Sequence, residues 1–347
     1  MPIVSKGAPF RYNGAINVEN CQTAEEVIKQ ANLDWSVEKC PIFGQMPLGV
    51  NRLDNECFAH DENYYAKISN AYGIYRTDLN IPLGIVKDRY NIVQNIDAFT
   101  FFNDAIGKDK AIWQTAGYFG NGERVFVSAK IPKNILVEDD PVENYLVFTT
   151  SHDGSSGVKI LFTPIRIICQ NTLNAAIKES SNYISFRHTD SVHDNIRTVT
   201  DIIRASNAKV ESLGEAYNAM RKVKVDDNKA MEYFNKLILS ETEIENLKIT
   251  GHTYQEIVYK NYQAMCDANI STKKVNVISS MYDYYHGGIG QKEILGSGWG
   301  LYNAVSGYYS NVDNAVGLKR MDSLLYGDKS KKIQRAGDIV LNMVKSA

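Results

Sequence analysis

The stretch Tyr145–Ile177 constrains the fold of this chain more than any other part of the sequence. Apolar side chains dominate residues 145–149 and 158–162, and their alternation predicts two strands with little exposed surface. Residues 151–157, which read SHDGSSG, are turn-formers and predict that the two strands make a hairpin. Because both faces of the first strand carry apolar or aromatic groups, we expect that strand to lie inside a sheet.

A helix is predicted directly after this hairpin. Thr163 can cap free N–H groups, and Pro164 at the first helical position loses no hydrogen bond. Over 165–177 the apolar side chains follow the i, i+3, i+4 spacing of a helix that packs on one face. Another face carries polar side chains at i, i+4 and i+8, namely Arg166, Gln170 and Asn174. We expect this helix to lie across the sheet and to offer that polar face to a ligand.

A second hairpin precedes the first one. Residues 113–119 and 124–131 have the composition of strands, and the turn 120–122 between them contains Asn-Gly, a strong hairpin signal. In the later strand one face is shared by Arg124, Phe126, Ser128 and Lys130. The two cations on this face are candidate contacts for an anion.

The order of these elements predicts an α+β fold. An antiparallel sheet of two hairpins with a packed helix is followed by a mainly helical C-terminal lobe. We predict an irregular N-terminal arm or peripheral layer over residues 1–80 and an α+β core domain over 81–190, in which Asn95 begins a helix. Residues 191–347 are predicted to form the helical lobe, which ends in a basic tail.

Composition limits the classes of partner and site. The net charge of the 347-residue chain is −2, so a nucleic-acid surface would have to be local. The sequence shows no apolar run of membrane-spanning length and no apolar signal-peptide core at its start, so we expect no membrane partner and a cytoplasmic location. The 5 cysteines are widely spaced without a C-x-x-C pair, which predicts reduced thiols and no zinc ribbon.

Four segments carry a resemblance to a known family. They read LGIVKDRYNIVQNIDAFTFF, SHDGSSGVKILFTPIRIICQNTLNAA, SFRHT and GSGWGLYNAVSGYY. The chain resembles, over roughly residues 80–310, a family of phage- and plasmid-encoded proteins catalogued as a domain of unknown function. This resemblance implies a mobile element that replicates in a bacterial cytoplasm. The order hairpin, hairpin, helix is also similar to the core of the single-strand annealing recombinases of the RecT, Redβ and Erf superfamily.

These features lead to a functional prediction of single-stranded DNA binding and annealing by a homo-oligomer, without a cofactor. The sugar-phosphate path needs spaced cations and amides, while the bases must stay free to pair. The candidate path residues are Arg124, Lys130, Lys159, Arg166, Gln170, Asn174 and Arg187. Each cation alone is better explained as the solvated face of a sheet, and the argument depends on the convergence of these residues on one hairpin-helix unit. We therefore expect Lys159→Ala and Arg166→Ala to weaken binding and to flatten its salt dependence.

Histidines near the first hairpin allow an enzymatic alternative. His152 and Asp153 lie in the hairpin loop, and His188 and His193 follow the short apolar stretch 183–186. Such groups can hold a metal or relay a proton, as in a metal-dependent hydrolase. The last two histidines lack i, i+4 spacing and no hydrolase motif occurs, so we expect no metal site and no catalytic residue. The loop groups are predicted either to fix the loop or to contact a ligand.

A structural or anti-defence factor of a mobile element that binds a host protein is the second hypothesis, ahead of the metal-dependent hydrolase. The chain contains 21 tyrosines, and several of them cluster in the predicted C-terminal lobe. Tyrosine is an amphipathic aromatic residue that suits both core packing and a protein interface.

Overall fold

The computed structural model describes residues 15–46, 57–60, 63–106, 112–166, 171–172, 183–196, 207–245, 247, 251–313 and 315–346. These residues form two antiparallel sheets and a large helical part, which confirms the predicted α+β class and the helical C-terminal part. In the described part of the chain, no helix is both long enough and apolar enough to cross a membrane.

Eleven strands are present in the described residues. They are β1 (Ala15–Asn17), β2 (Val37–Gln45), β3 (Cys57–His60), β4 (Asn63–Arg76), β5 (Ile81–Val86), β6 (Ile112–Phe119), β7 (Arg124–Val137), β8 (Asp140–Ser151), β9 (Val158–Arg166), β10 (Asn171–Thr172) and β11 (Tyr183–Phe186). Two α-helices, Ala24–Gln30 and Asn95–Ile106, lie among the first strands. The later helices are Asn207–Lys222, Asp227–Ile238, Glu241–Ile244, Tyr254–Asp267, Thr272–Gly287, Gly298–Gly307, the π-helix Tyr308–Val312, Gly317–Leu325 and Asp328–Ser346.

The larger sheet has the order β1-β6-β7-β8-β9-β10, and β11 also pairs with β9. Both predicted hairpins, β6-β7 and β8-β9, are present. The turn of the hairpin β6-β7 holds Gly120 and Gly122 at φ values of 63° and 123°, a region that glycine enters without steric cost. As predicted, β8 is an inner strand, paired with β7 on one side and β9 on the other.

Both faces of this sheet are covered. Because side chains alternate along a strand, Phe148 points to one face, where its ring centroid lies 5.6 Å from that of Phe101 in the helix Asn95–Ile106. Phe126 points to the other face and packs in a separate cluster with Met321 of the helix Gly317–Leu325. Burial on both sides explains the near-continuous apolar composition of β8 and β9.

The predicted helix after the hairpin β8-β9 is wrong for the residues that the structure describes. Thr163–Arg166 continue β9, and Asn171–Thr172 form β10, which pairs with Ile165 and Arg166. The β-branched residues of this segment suit a strand, and a Thr-Pro pair is compatible with an extended backbone. Gln170, Asn174 and the rest of the predicted helix lie outside the described residues.

Residues 1–80 are predicted to form an irregular arm or peripheral layer; the irregular backbone is wrong for the described residues, which contain β1–β4, and the peripheral layer stays a prediction. The second sheet has the order β2-β4-β3, and β5 pairs with the C-terminal part of β4, residues 72–76. The strand signal in this part of the sequence is weak because several large apolar side chains are exposed, so apolar and polar positions do not alternate between a buried and a solvated face. They include Phe43, Phe58, Tyr64 and Ile68.

Candidate functional site

An open groove of about 740 Å³ lies at the end of the larger sheet where β8 turns into β9. Its walls come from β4 and β5, from Lys87, Arg89 and Tyr90, from the hairpin loop 154–157 and from residues 187–189. The groove therefore joins both sheets. At this groove the hairpin loop SHDGSSG, which opens the second family-like segment, meets the third family-like segment, SFRHT.

The groove presents three exposed cations, Lys87, Arg89 and Arg187. Among the described residues, none of the three has an ion-pair partner, and no carboxylate lines the groove. The neighbouring Asp88 accepts a hydrogen bond from the backbone N–H of Arg89 at 2.8 Å. Three cations around one opening favour an anionic ligand, and two guanidinium groups provide planar donor pairs that match phosphate oxygens.

A stacked pair of rings forms the floor of the groove. The His188 ring lies 4.5 Å from the Tyr90 ring at an interplanar angle of 19°. Its Nδ1 is 3.0 Å from the Asn91 carbonyl oxygen and therefore carries the hydrogen, so that Nε2 accepts from Thr150 Oγ1 at 3.3 Å. Burial lowers the pKa of His188, which keeps the imidazole neutral. The floor is thus polar, uncharged and held by internal hydrogen bonds.

The hairpin loop is fixed in shape by its own polar groups. Asp153 Oδ1 accepts from the Ser155 N–H at 2.9 Å, and Ser151 Oγ accepts from the Ser156 N–H at 3.0 Å. Gly154 has a φ of 74°. A Cβ on Gly157 would lie 2.2 Å from the Phe186 carbonyl oxygen, so only glycine allows β11 to approach this closely. The loop therefore offers a rigid backbone beside the cations.

His152 is buried and does not reach the groove. Its Nε2 lies 3.0 Å from Asn95 Oδ1, while the Asn95 amide nitrogen donates to the carbonyl oxygens of Leu33 and Trp35. Burial lowers the pKa of His152 to about 3. Asn95 does begin a helix, as predicted, but its side chain joins that helix to the loop. Of the two predicted roles for His152, the geometry supports loop fixing.

Three of the predicted path residues form contacts inside the protein. Arg124 pairs with Asp322 of the helix Gly317–Leu325, and Lys130 pairs with Glu143 on the adjacent strand. Lys159 Nζ lies 4.4 Å from the ring centroid of Tyr326. Burial lowers the pKa of Lys159. The sheet face that these cations share is therefore not an open DNA path in this structure.

The remaining predicted residues are placed differently. Arg187 lies in the groove, Arg166 ends β9, and Gln170 and Asn174 lie outside the described residues. Lys87 and Arg89 were missed, although they stand in the first family-like segment as KDR.

His193 Nδ1 lies 3.9 Å from Asp97 Oδ2. No group of three or more histidine, cysteine or acidic side chains that could hold a metal occurs among the described residues.

Comparison with known proteins assigns a family without an activity. No curated protein matches the chain, and no solved structure matches it. The match to a family covers residues 82–339, which include the groove cations, the hairpin loop and most of the helical part. The chain therefore belongs to the family described as "Domain of unknown function (DUF932)".

Proposed function

We propose that this protein binds single-stranded DNA and promotes its annealing. The observation that carries the proposal is the groove with the exposed, unpaired cations Lys87, Arg89 and Arg187. They lie beside a rigid loop of serine and glycine. Phosphates contact these cations whatever the base sequence, and the bases remain available to a complementary strand.

An exposed aromatic ring on the smaller sheet supports binding of a single strand over a duplex. Strand β4 lines the groove with Asn70 and Ala71, and Tyr65 stands five positions earlier on the same strand, within roughly 20 Å. The Tyr65 ring stacks on Phe58, with centroids 5.2 Å apart and an interplanar angle of 16°. Phe58 is 44% exposed. A flat ring can stack on an unpaired base, whereas the bases of a duplex are already stacked on each other.

The proposed mechanism needs no cofactor and breaks no covalent bond. Lys87, Arg89 and Arg187 neutralise phosphates of an extended strand, and a homo-oligomer would join several grooves into one track. Annealing follows when a second strand pairs with the bases that face away from the protein. The phage or plasmid setting, in a bacterial cytoplasm, is part of the same proposal.

The test is fluorescence-anisotropy binding of a labelled single strand and of its duplex over a salt series. The variant Lys87→Ala/Arg89→Ala/Arg187→Ala should weaken single-strand binding and flatten the slope of log K against log salt by about 2, since each phosphate contact contributes about 0.7. Equal binding of duplex and single strand would contradict the single-strand preference. Absence of binding at low salt would contradict the whole proposal.

Two matched variants locate the site. Lys292→Ala removes an exposed cation from the helical part, and Lys159→Ala removes the amine that lies on the Tyr326 ring. Both should leave affinity within about twofold of the parent protein and the salt slope unchanged. If Lys159→Ala alone flattened the slope, the path would run along the sheet face and not through the groove.

A further inference from the structure

A second groove lies in the helical part of the protein. It has a volume of about 790 Å³ and is bounded by the helices Asn207–Lys222, Asp227–Ile238 and Asp328–Ser346. A neighbouring hollow of about 460 Å³ shares Lys222 and Val223 with it and continues along the last helix to Val344. Together they form an elongated groove between helices.

The rim of this groove is cationic. Lys222, Lys224, Lys229 and Lys236 line it, and all four are exposed. Of its two carboxylates, Glu232 pairs with Lys236 at 2.5 Å, and Glu215 lines the neighbouring hollow. Among the described residues, Lys222, Lys224 and Lys229 have no ion-pair partner. The rim therefore favours a ligand that carries several negative charges.

The floor of the groove is aliphatic. It contains Val223, Val225, Ile339 and Met343. The lining ring of Tyr233 is fully buried, and its hydroxyl donates to the Ala336 carbonyl oxygen at 3.1 Å. An unpaired base would therefore find no exposed ring to stack on, in contrast to the exposed Phe58 near the first groove. The ligand must combine negative charge with aliphatic side chains.

We infer that this groove binds an acidic amphipathic helix of a partner protein. Such a helix would place its apolar stripe, spaced i, i+3, i+4 and i+7, on the floor around Met343 and its carboxylates against the lysine rim. Charge complementarity with the rim fixes the acidic character of the partner, and the elongated shape between helices suits a helix. This inference is independent of DNA binding, because this second groove shares no lining residue with the first groove.

The test uses two synthetic peptides of about 18 residues, which is about five helical turns. The first has leucine at i, i+3, i+4 and i+7 and glutamate at most other positions, and the second is a scrambled sequence of the same composition. The full-length protein should bind the first peptide at least about tenfold more tightly than the scrambled one. Equal affinity for the two peptides would overturn the inference, because it would show attraction by charge alone.

Variants assign the binding to the groove. Lys222→Glu/Lys229→Glu should weaken binding of the first peptide by about a hundredfold, and Met343→Asp should weaken it to a similar extent. Lys331→Glu is the matched control, since Lys331 is exposed on the last helix outside the groove. Each variant is first shown to have the parent thermal transition. Loss of binding in the control to the same extent, or displacement of the peptide by a single-stranded oligonucleotide, would overturn the inference.

Discussion

The guanidinium of Arg124 forms an ion pair with the carboxylate of Asp322, 198 positions later in the chain. This pair joins β7 to the helix Gly317–Leu325. Beside it, the Tyr326 hydroxyl lies 3.3 Å from Thr149 Oγ1, and Lys159 rests on the Tyr326 ring. The polar positions on this face of the sheet therefore serve to attach the helix Gly317–Leu325 and the Tyr326 that follows it.

Removal of the carboxylate should destabilise the protein. The Arg124 side chain is only 11% exposed, so Asp322→Ala leaves a nearly buried cation without its partner. We expect the free energy of unfolding to fall by about 2–4 kcal/mol, measured by chemical denaturation. Glu232→Ala is the control, because the Lys236–Glu232 pair has side chains that are 48% and 60% exposed. That change should cost less than about 1 kcal/mol. Equal effects of the two substitutions would show that the Arg124 pair does not hold the helix.

Acid should destabilise the protein through His152. Its pKa is lowered to about 3 in the folded state, whereas the ordinary value is 6.5. The unfolded chain therefore binds a proton that the folded protein rejects, and stability is lost as the pH falls below 6.5 towards 3. Between pH 7 and pH 5 this group alone should cost about 2 kcal/mol, and His188 acts in the same direction. Denaturant unfolding at the two pH values measures the loss. His152→Gln can keep a donor towards Asn95 without the titration, so an unchanged pH dependence in that variant would exclude His152 as the cause.

A methyl group at Gly157 should disturb the groove. The added Cβ would meet the Phe186 carbonyl oxygen at 2.2 Å, and backbone cannot move as a flexible side chain does. We expect Gly157→Ala to lower the free energy of unfolding by about 1–3 kcal/mol and to weaken single-strand binding. Gly287→Ala is the matched control, since its Cβ meets nothing within 4 Å. Denaturation and anisotropy on both variants test this, and a Gly157→Ala protein with parent stability would show that the loop can move away from β11.

The rings of the smaller sheet should distinguish base stacking from phosphate contact. Phe58→Ala removes one ring of the stacked pair with Tyr65. We expect affinity for a single strand to fall by roughly tenfold, and affinity for an abasic strand of the same length to stay unchanged. Anisotropy with the two oligonucleotides measures both values. A parallel loss on both strands would mean that Phe58 supports the fold of the sheet and does not contact bases.

The strands of the larger sheet could be predicted from the sequence because their signals are local. Alternating apolar side chains, the Asn-Gly turn and the SHDGSSG loop fix two hairpins within short segments. The prediction of a helix after Thr163 is wrong for the described residues of that segment. A Thr-Pro pair occurs in strands as well as at helix starts. The pairing of Pro164 with Asn144 of the adjacent strand determines that this pair belongs to a strand. The local sequence pattern indicates that a segment is extended, but the neighbouring strands that pair with it determine where the strand ends.

The candidate site depended on contacts between residues far apart in the sequence. Local alternation placed Arg124 and Lys159 on sheet faces, but only the packing of the helix Gly317–Leu325 shows that protein groups already contact both. The groove brings together Lys87 and Arg187, which are 100 positions apart in the sequence. The sequence by itself thus determined the α+β class, the two hairpins and the helical C-terminal part. Only the tertiary structure decided which cations remain open to a ligand, because burial and pairing depend on neighbours that no local pattern specifies.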